Sequence, residues 1–492
     1  MRPREPLPAD GTLSPAGRSR RGFLIQAAGA GLLAVGLGPL LDACSADSIS
    51  ADVHHRGRVY NVRSFGADPT GASDSATAIQ AALNAARAAG GGVVHLPAGL
   101  YVVSQILQIG GDERPRACGR SRTVSTSFPS PFDEQDSHCL YLCYVDGLRV
   151  KNMRIINAIR YSIFMVQCSH SSVRFSHIIS GREAPGMRTQ QDGIHLAGCS
   201  YCVIAENNVD TGATAGVGDD AICLQALTSG HPVTDITVTG NVLRSGARGI
   251  ALVPHLDNIR NVEITSNNIL ETQDDGIVFN VTRPGPACSN ITIARNKFGN
   301  IAAAGKGHGI DLQSITTAGY QDVVISGNSF GTFMNPSGFG IYAGQGNNLK
   351  IDGNSFDNFQ GIRVINIGDD GVRVDRFRVW RNMLSASNGP AGKVGVMVID
   401  SQNGIVSGNV INGSASASSY GVELLGITAV VTGVVVNANR ILNWTHGVAE
   451  SNAGAQPDYN AVTSNVLDGC ATAVLTQGAH DVVANNKIKH PR

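Results

Sequence analysis

The stretch Val233–Val253 reads VTDITVTGNVLRSGARGIALV: a β-rich run, a Gly-Asn corner, a small loop, then Gly followed by a second apolar run. From about Leu148 to the end the chain repeats that sentence. The corner asparagine recurs as Asn208, Asn241, Asn268, Asn296, Asn328, Asn354, Asn382, Asn409, Asn439, Asn465 and Asn486, at gaps of 21 to 33 residues. A regular but loose period, punctuated by Gly and Asn with no helical pattern between, is what stacked β-coils produce. No coil can bury its apolar face alone, so neighbours share one long core. Asn tolerates a left-handed turn, and its amide can bond to equivalents above and below, so these residues read as a ladder rather than as ligands.

Composition agrees. At 492 residues the chain is long enough for about three ordinary domains, but the repeats run without a linker and favour one continuous solenoid. The 59 Gly and 15% charged residues suit tight turns and narrow strands rather than solvated helices. Lys plus Arg and Asp plus Glu each number 38, so the formal net charge is zero. No global field then favours nucleic acid or an anionic membrane.

Ser19-Arg20-Arg21-Gly22-Phe23-Leu24 precedes a mildly apolar stretch to Leu41, the pattern of a twin-arginine export signal over residues 1–44. Gly29, Gly31, Gly36, Gly38 and Pro39 argue against a membrane anchor. Leu41-Asp42-Ala43-Cys44 partly matches a lipoprotein processing site, so a lipid on Cys44 is the one membrane attachment expected. Residues 45–57 read as a linker and 58–492 as a single domain. The expected location is periplasmic or extracellular.

Residues 58–105 form a different unit. Ser73 or Asp74 is expected to cap an Ala-rich helix from Ala76 to Ala89, with Ile79, Leu83 and Ala86 on one face and Gly90-Gly91-Gly92 as the stop. A helix laid across the open end of a solenoid covers its exposed core. Residues 107–139 lack any period and read as a long loop. Cys143, Cys168 and Cys199 each fall nine places before a strand-ending residue, which stacks them in one column about 4.8 Å apart, open either to a disulfide or to simple packing. Cys199-Ser200-Tyr201-Cys202 reads as packing rather than as a zinc pair.

The segment YNVRSFGADPTGASDSATAIQAALNAARAAGGGVVHLPAGLYVV, residues 60–103, resembles the opening of the pectate-lyase-like right-handed parallel β-helix proteins. These include polygalacturonases, related lyases, and phage or capsule-degrading proteins. With the export signal, the chain is also similar to a twin-arginine-translocated repeat family of bacteria. The resemblance implies an all-β, right-handed parallel β-helix with an N-terminal capping α-helix, acting on polysaccharide.

When the coils are aligned on the Gly or Ala that opens the second run, the preceding residues form one column. They are Asp192, Asp220, Arg248, Asp275, His308, Phe339, Gln360, Val394, Tyr420 and His446. Five successive coils place an ionisable group there, a strip of about 20 Å. Asp219 adjoins Asp220, and Asp274 adjoins Asp275. Carboxyls at inter-coil spacing repel when ionised, so one is expected to keep its proton beside an ionised neighbour, as glycosidic hydrolysis requires.

Gln190-Gln191-Asp192-Gly193 and Gly218-Asp219-Asp220-Ala221 resemble two polygalacturonase motifs. That resemblance implies Asp219 as general acid, with Asp192 and Asp220 holding the attacking water. The pattern departs afterwards. Ala247-Arg248-Gly249 stands where Gly-His-Gly is expected, Gly307-His308-Gly309 comes two coils late, and Gln360-Gly361-Ile362-Arg363 is a faint echo of Arg-Ile-Lys. Arg248, Asp275, His308 and His195 are candidate substrate-binding residues.

His195 and Asp311 stand three places after the column, on the outward side of the strand, where they either flank the groove or meet solvent. Phe339 and Tyr342 are candidates to stack on a sugar ring, and Asp369-Asp370-Gly371 reads as a turn. Three functions remain open. One is a hydrolase without metal or cofactor. Another is a lyase or epimerase using Ca²⁺, with Arg248 or His308 handling the proton. The third is a non-catalytic glycan-binding protein whose Asp-Gly column arises from backbone geometry alone.

Overall fold

The computed structural model describes residues 23–35, 58–110 and 139–490, the last span apart from 157, 159, 181–190, 214–217, 282–284, 306, 314–318, 332–334, 336, 360–362, 387–392 and 414–417. The chain is an all-β parallel solenoid, with one α-helix among the described residues.

One face is a 14-stranded sheet running from Leu107–Gly110 to Thr472–Leu475, each strand hydrogen-bonded in parallel to the equivalent strand one coil away. Register is strict because each coil presents a β-branched residue inward at the same place. Ile163, Ile194, Ile222, Ile250, Ile277, Ile310 and Ile341 form an unbroken column of 0% exposure. Each such side chain contributes about 2 kcal/mol by leaving water. A second internal column stacks Phe298 on Phe330 at 4.5 Å and Phe330 on Phe356 at 4.2 Å. Residues 107–110, expected as loop, are instead the first strand of the sheet, since Leu107 and Ile109 pair with Leu140 and Leu142 and share their burial.

The asparagine ladder is present but shifted at two rungs. Asn207 and Asn267 are the buried members, whereas Asn208 is exposed and Asn268 opens the next strand. In these two tandem pairs the first asparagine turns inward, whereas in Asn485-Asn486 the second joins the ladder. Each rung repeats one geometry: Asn296 Nδ2 donates to Asn328 Oδ1 at 3.0 Å, and Asn267 N donates to Asn296 Oδ1 at 2.9 Å. The left-handed residue is the one before the ladder asparagine, as at Glu206 (φ 58°), Ser266 (φ 57°) and Arg295 (φ 57°).

At the N-terminal end the helix Ala76–Ala88 buries Ile79, Leu83 and Ala86. Asp74 Oδ1 accepts from Ala76 N at 3.1 Å, and Gly90 N and Gly91 N return to Arg87 O and Ala86 O, both at 2.9 Å. Phe23–Val35, inside the stretch read as an export signal, is a strand antiparallel to Gly92–Leu96, Gly99–Val103 and Arg149–Ile156. Cys44 and the rest of residues 1–57 lie outside the described residues.

Of the proposed cysteine column, Cys168 and Cys199 do stack on adjoining coils, and Cys143 falls outside it. Cys143 ends a strand opposite Val166 and is disulfide-bonded, its partner lying outside the described residues, while Cys168, Cys199 and Cys202 are free, buried thiols.

Candidate active site

The parallel register converts sequence distance into contact. Ile194 pairs with Ile222, Ile222 with Ile250, Ile250 with Ile277, and Ile277 with Ile310. The residues two places earlier, Asp192, Asp220, Arg248, Asp275 and His308, therefore lie in file at about 4.8 Å intervals. Beyond them Phe339 pairs with Arg363, so Arg363 takes the place expected for Gln360, which lies outside the described residues. Val364-Ile365-Asn366-Ile367 mirrors Gly340-Ile341-Tyr342-Ala343. That alternation was the available signal for Arg363, and the nearby Gly361 obscured it.

The first three coils build one charged cluster. Asp192, Asp219 and Asp220 bring carboxylate oxygens within 4.8 Å of one another. Arg248 spans two of them: Nη2 donates to Asp219 Oδ1 at 2.9 Å, and Nε lies 2.7 Å from Asp220 Oδ1 as an ion pair without hydrogen-bond alignment. Asp192 Oδ1 accepts from Asp220 N at 3.1 Å, and its Oδ2 lies 2.6 Å from His195 Nδ1. His195 stacks on Tyr161 at 4.5 Å, which fixes the ring against the preceding coil. Thr211 and Ser245 hydroxyls both donate to Asp219 O, at 2.7 and 2.6 Å, and pin the backbone of the doublet.

Exposure divides the roles. The side chains of Asp219 and Arg248 are 24% and 25% exposed, whereas those of Asp192 and Asp220 are 4% exposed. Burial pushes the Asp192 carboxyl well above the carboxylate range, with Asp219 adding repulsion and Arg248 opposing it. Burial likewise raises Asp220, against the pull of Arg248, and its side chain hydrogen-bonds that of Asp219. In return the two carboxylates, Asp220 foremost, hold the guanidinium in its charged form. Burial thus disfavours the charged form of the two inner carboxyls, beside the one cluster carboxyl that reaches solvent.

The next two column residues are separate from that contact. Asp275 Oδ1 accepts from His308 N at 2.6 Å, and burial raises its carboxyl to about 6. His308 Nδ1 accepts from Phe339 N at 3.1 Å, and burial lowers the imidazole to about 4. His195 and Asp311 are 2% and 6% exposed, so neither is the solvated surface residue that its outward strand position allowed. Phe339 is sandwiched between His308 at 4.7 Å and the Arg363 guanidinium at 5.1 Å, which closes its faces to a sugar. Asp369 and Val372 close a tight turn, and Tyr342 Oη donates to Asp369 Oδ2 at 2.9 Å.

Among the described residues, two donor sets have metal-like proximity: Asp192, Asp219 and Asp220, and Asp192, His195 and Cys223. Neither suits a cation. Arg248 already places positive charge against two of the three carboxylates, and burial pushes the Cys223 thiol far from the thiolate a metal needs.

Residues 59–126 match the family model described as rhamnogalacturonase A/epimerase, pectate lyase-like. This segment is pectate-lyase-like. Mannuronan C5-epimerase AlgE1 of Azotobacter vinelandii is 56% identical over 59 residues, 12% of this chain and 4% of that protein. The chain thus spans a small fraction of that relative. Among solved structures, the AlgE6 A-module of the same organism is 16% identical, covering 88% of this chain and 100% of that one, with a TM-score of 0.41. An exopolygalacturonase from Thermotoga maritima is 14% identical, covering 79% and 96%, with a TM-score of 0.40. The pectate-lyase-like segment carries the capping helix and the strands beneath it. Asp192, Asp219, Asp220 and Arg248 all lie beyond it.

Proposed function

We propose that the chain is an exported, polysaccharide-active β-helix protein that hydrolyses glycosidic bonds by carboxylate acid–base catalysis at Asp192, Asp219 and Asp220. The observation that carries this is the placing of a solvent-reaching Asp219 within 4.8 Å of the buried Asp220 and Asp192, whose charged forms burial disfavours. Asp219 delivers the shared proton to the leaving oxygen as the anomeric C–O bond breaks. Water adds its oxygen to the anomeric carbon, and its proton returns to the cluster through Asp220. Arg248 holds the doublet and offers its remaining donors to sugar oxygens. The twin-arginine pattern supports export to the periplasm or beyond, with Cys44 as the point of lipid attachment if there is one.

A second reading, lyase or C5-epimerase chemistry on a uronate, is favoured by the match of the opening segment to a mannuronan epimerase. It asks Arg248 or His308 to move a proton, although Arg248 is paired with Asp219 and Asp220 and His308 Nδ1 accepts from Phe339 N, and its Ca²⁺ would have to displace Arg248. A third, non-catalytic glycan binding, is favoured by the backbone service of Asp192 and Asp275, each of which accepts an N–H from the next coil.

The test is incubation of the mature protein with a panel of polysaccharides and measurement of new reducing ends. Release by the wild type, lost in Asp219→Asn, supports hydrolysis. Release of unsaturated uronate products supports elimination, and binding without products supports the third reading.

A further inference from the structure

On the far side of Arg248 from the cluster, an open cavity of about 210 Å³ is lined by Asp274, Asp275, Asn280, Asp311 and Gln313. It lies one to two coils along the column, and Arg248 forms the shared wall. Asp311 is its most informative residue. The side chain is 6% exposed, yet Asp311 Oδ1 has no hydrogen-bond partner among the described residues. A buried acceptor left unpaired costs about 1–3 kcal/mol, so the fold retains one here against its own stability.

The charge around the cavity is lopsided. Three carboxyls face it, and the only guanidinium on its wall is already engaged by Asp219 and Asp220. His308 adds no cation near neutral pH, since burial lowers it to about 4 and Nδ1 accepts from Phe339 N. An incoming carboxylate would therefore meet the Asp275 charge, on a wall whose one guanidinium already spends its Nη2 and Nε on Asp219 and Asp220. A hydroxyl meets none of that penalty, because it can donate to Asp311 Oδ1 and exchange hydrogen bonds with the amides of Asn280 and Gln313. An opening of this size admits a sugar ring.

We propose that this cavity is a subsite for one uncharged, hydroxyl-bearing sugar ring, with Asp311 as the residue that takes its hydroxyl and Asp275 as the one that selects against uronates. This rests on the glycan-active reading and narrows its substrate to a neutral polysaccharide. It also separates the chain from a protein whose name specifies mannuronan.

The test is direct binding to matched tetrasaccharides: manno-, gluco- and galacto-tetraoses and the corresponding tetrauronates, by calorimetry at neutral pH. At least one neutral tetraose is expected to bind about tenfold or more tightly than its uronate counterpart, and Asp311→Leu to lose about tenfold. Asp311→Asn, nearly the same shape, guards against misfolding: with Asp275→Asn it is expected to gain about tenfold on the uronate set, because the Asp275 charge is gone. Tighter binding of uronates by the wild type, binding of neither set, or an Asp311→Leu variant that binds unchanged overturns the inference. Cleavage of a uronate polymer overturns it while leaving hydrolysis standing. Neutral binding lost in Asp311→Leu, without product from any glycan, sinks hydrolysis and leaves the subsite.

Discussion

Asp220 and Arg248 occupy the same place on adjoining coils, and Arg248 Nε closes to 2.7 Å on Asp220 Oδ1. The parallel register brings them together, and neither position is tolerable alone. A guanidinium half-withdrawn from water needs an anion, and carboxyls this close need a cation.

Removing Arg248 therefore leaves two adjacent carboxyls uncompensated. Arg248→Ala is expected to lower stability by about 3 kcal/mol near neutral pH. The loss should shrink in acid, where the carboxyls take up protons, and should be smaller when Asp220→Asn is added. Thermal unfolding of the single and double variants across pH measures this. Additive losses would show that the two side chains do not depend on each other.

The ladder gives a sharper contrast because two asparagines of similar sequence context differ in burial. Asn296 donates to Asn328 Oδ1 and to Ile264 O and accepts from Asn267 N. Asn296→Ala is expected to cost about 3 kcal/mol through orphaned backbone and amide groups. Asn208→Ala, at an exposed rung neighbour, should stay within about 0.5 kcal/mol. Differential scanning calorimetry of both variants tests the assignment of Asn207 rather than Asn208 to the ladder.

Asp275 and His308 pull the pH profile in opposite directions. Burial raises folded Asp275 from 3.8 to about 6, so its stabilising contribution is complete below the lower value and is lost as pH rises through the upper one. Burial lowers folded His308 from 6.5 to about 4, so its contribution is complete above the former and is lost as pH falls through the latter. Asp275→Asn should accordingly raise the thermal midpoint relative to wild type at about pH 7.5 more than at about pH 4. His308→Gln should show the reverse preference. Matching profiles for the two variants would contradict both assignments.

Much of this was legible in the chain. The Gly-Asn period announced stacked coils, and aligning on Gly193, Ala221, Gly249, Gly276 and Gly309 placed the first five column residues correctly. That alignment works because a small residue is forced wherever neighbouring backbone crowds it: a Cβ on Gly276 would meet Gly309 O at 2.5 Å. It also placed Phe339, Val394, Tyr420 and His446 in that column and missed at Gln360 alone. Val364 rather than Gly361 is opposite Gly340, so the column residue is Arg363.

Three further features carried no sequence signal. An outward strand position is ordinarily solvated, yet His195 is covered by Tyr161 and Phe164 from the preceding coil. Nothing local distinguishes Asn207 from Asn208, since both suit a corner. The grip of Arg248 on Asp219 and Asp220 is a matter of side-chain direction, which spacing alone does not give.

For catalysis, Asp219→Asn keeps the shape of the only cluster carboxylate with substantial exposure and removes its proton chemistry. A loss of about a thousandfold in kcat/KM is expected, with little change in thermal midpoint. Rate and melting data together decide whether Asp219 acts on the substrate or only holds Arg248.

The most direct measurement is cleavage of a bound glycan in heavy-oxygen water, followed by mass spectrometry of the products. The account expects one solvent oxygen at each new reducing end, with the yield collapsing in Asp219→Asn. Products that carry no solvent oxygen, or an unchanged yield from Asp219→Asn, would contradict it.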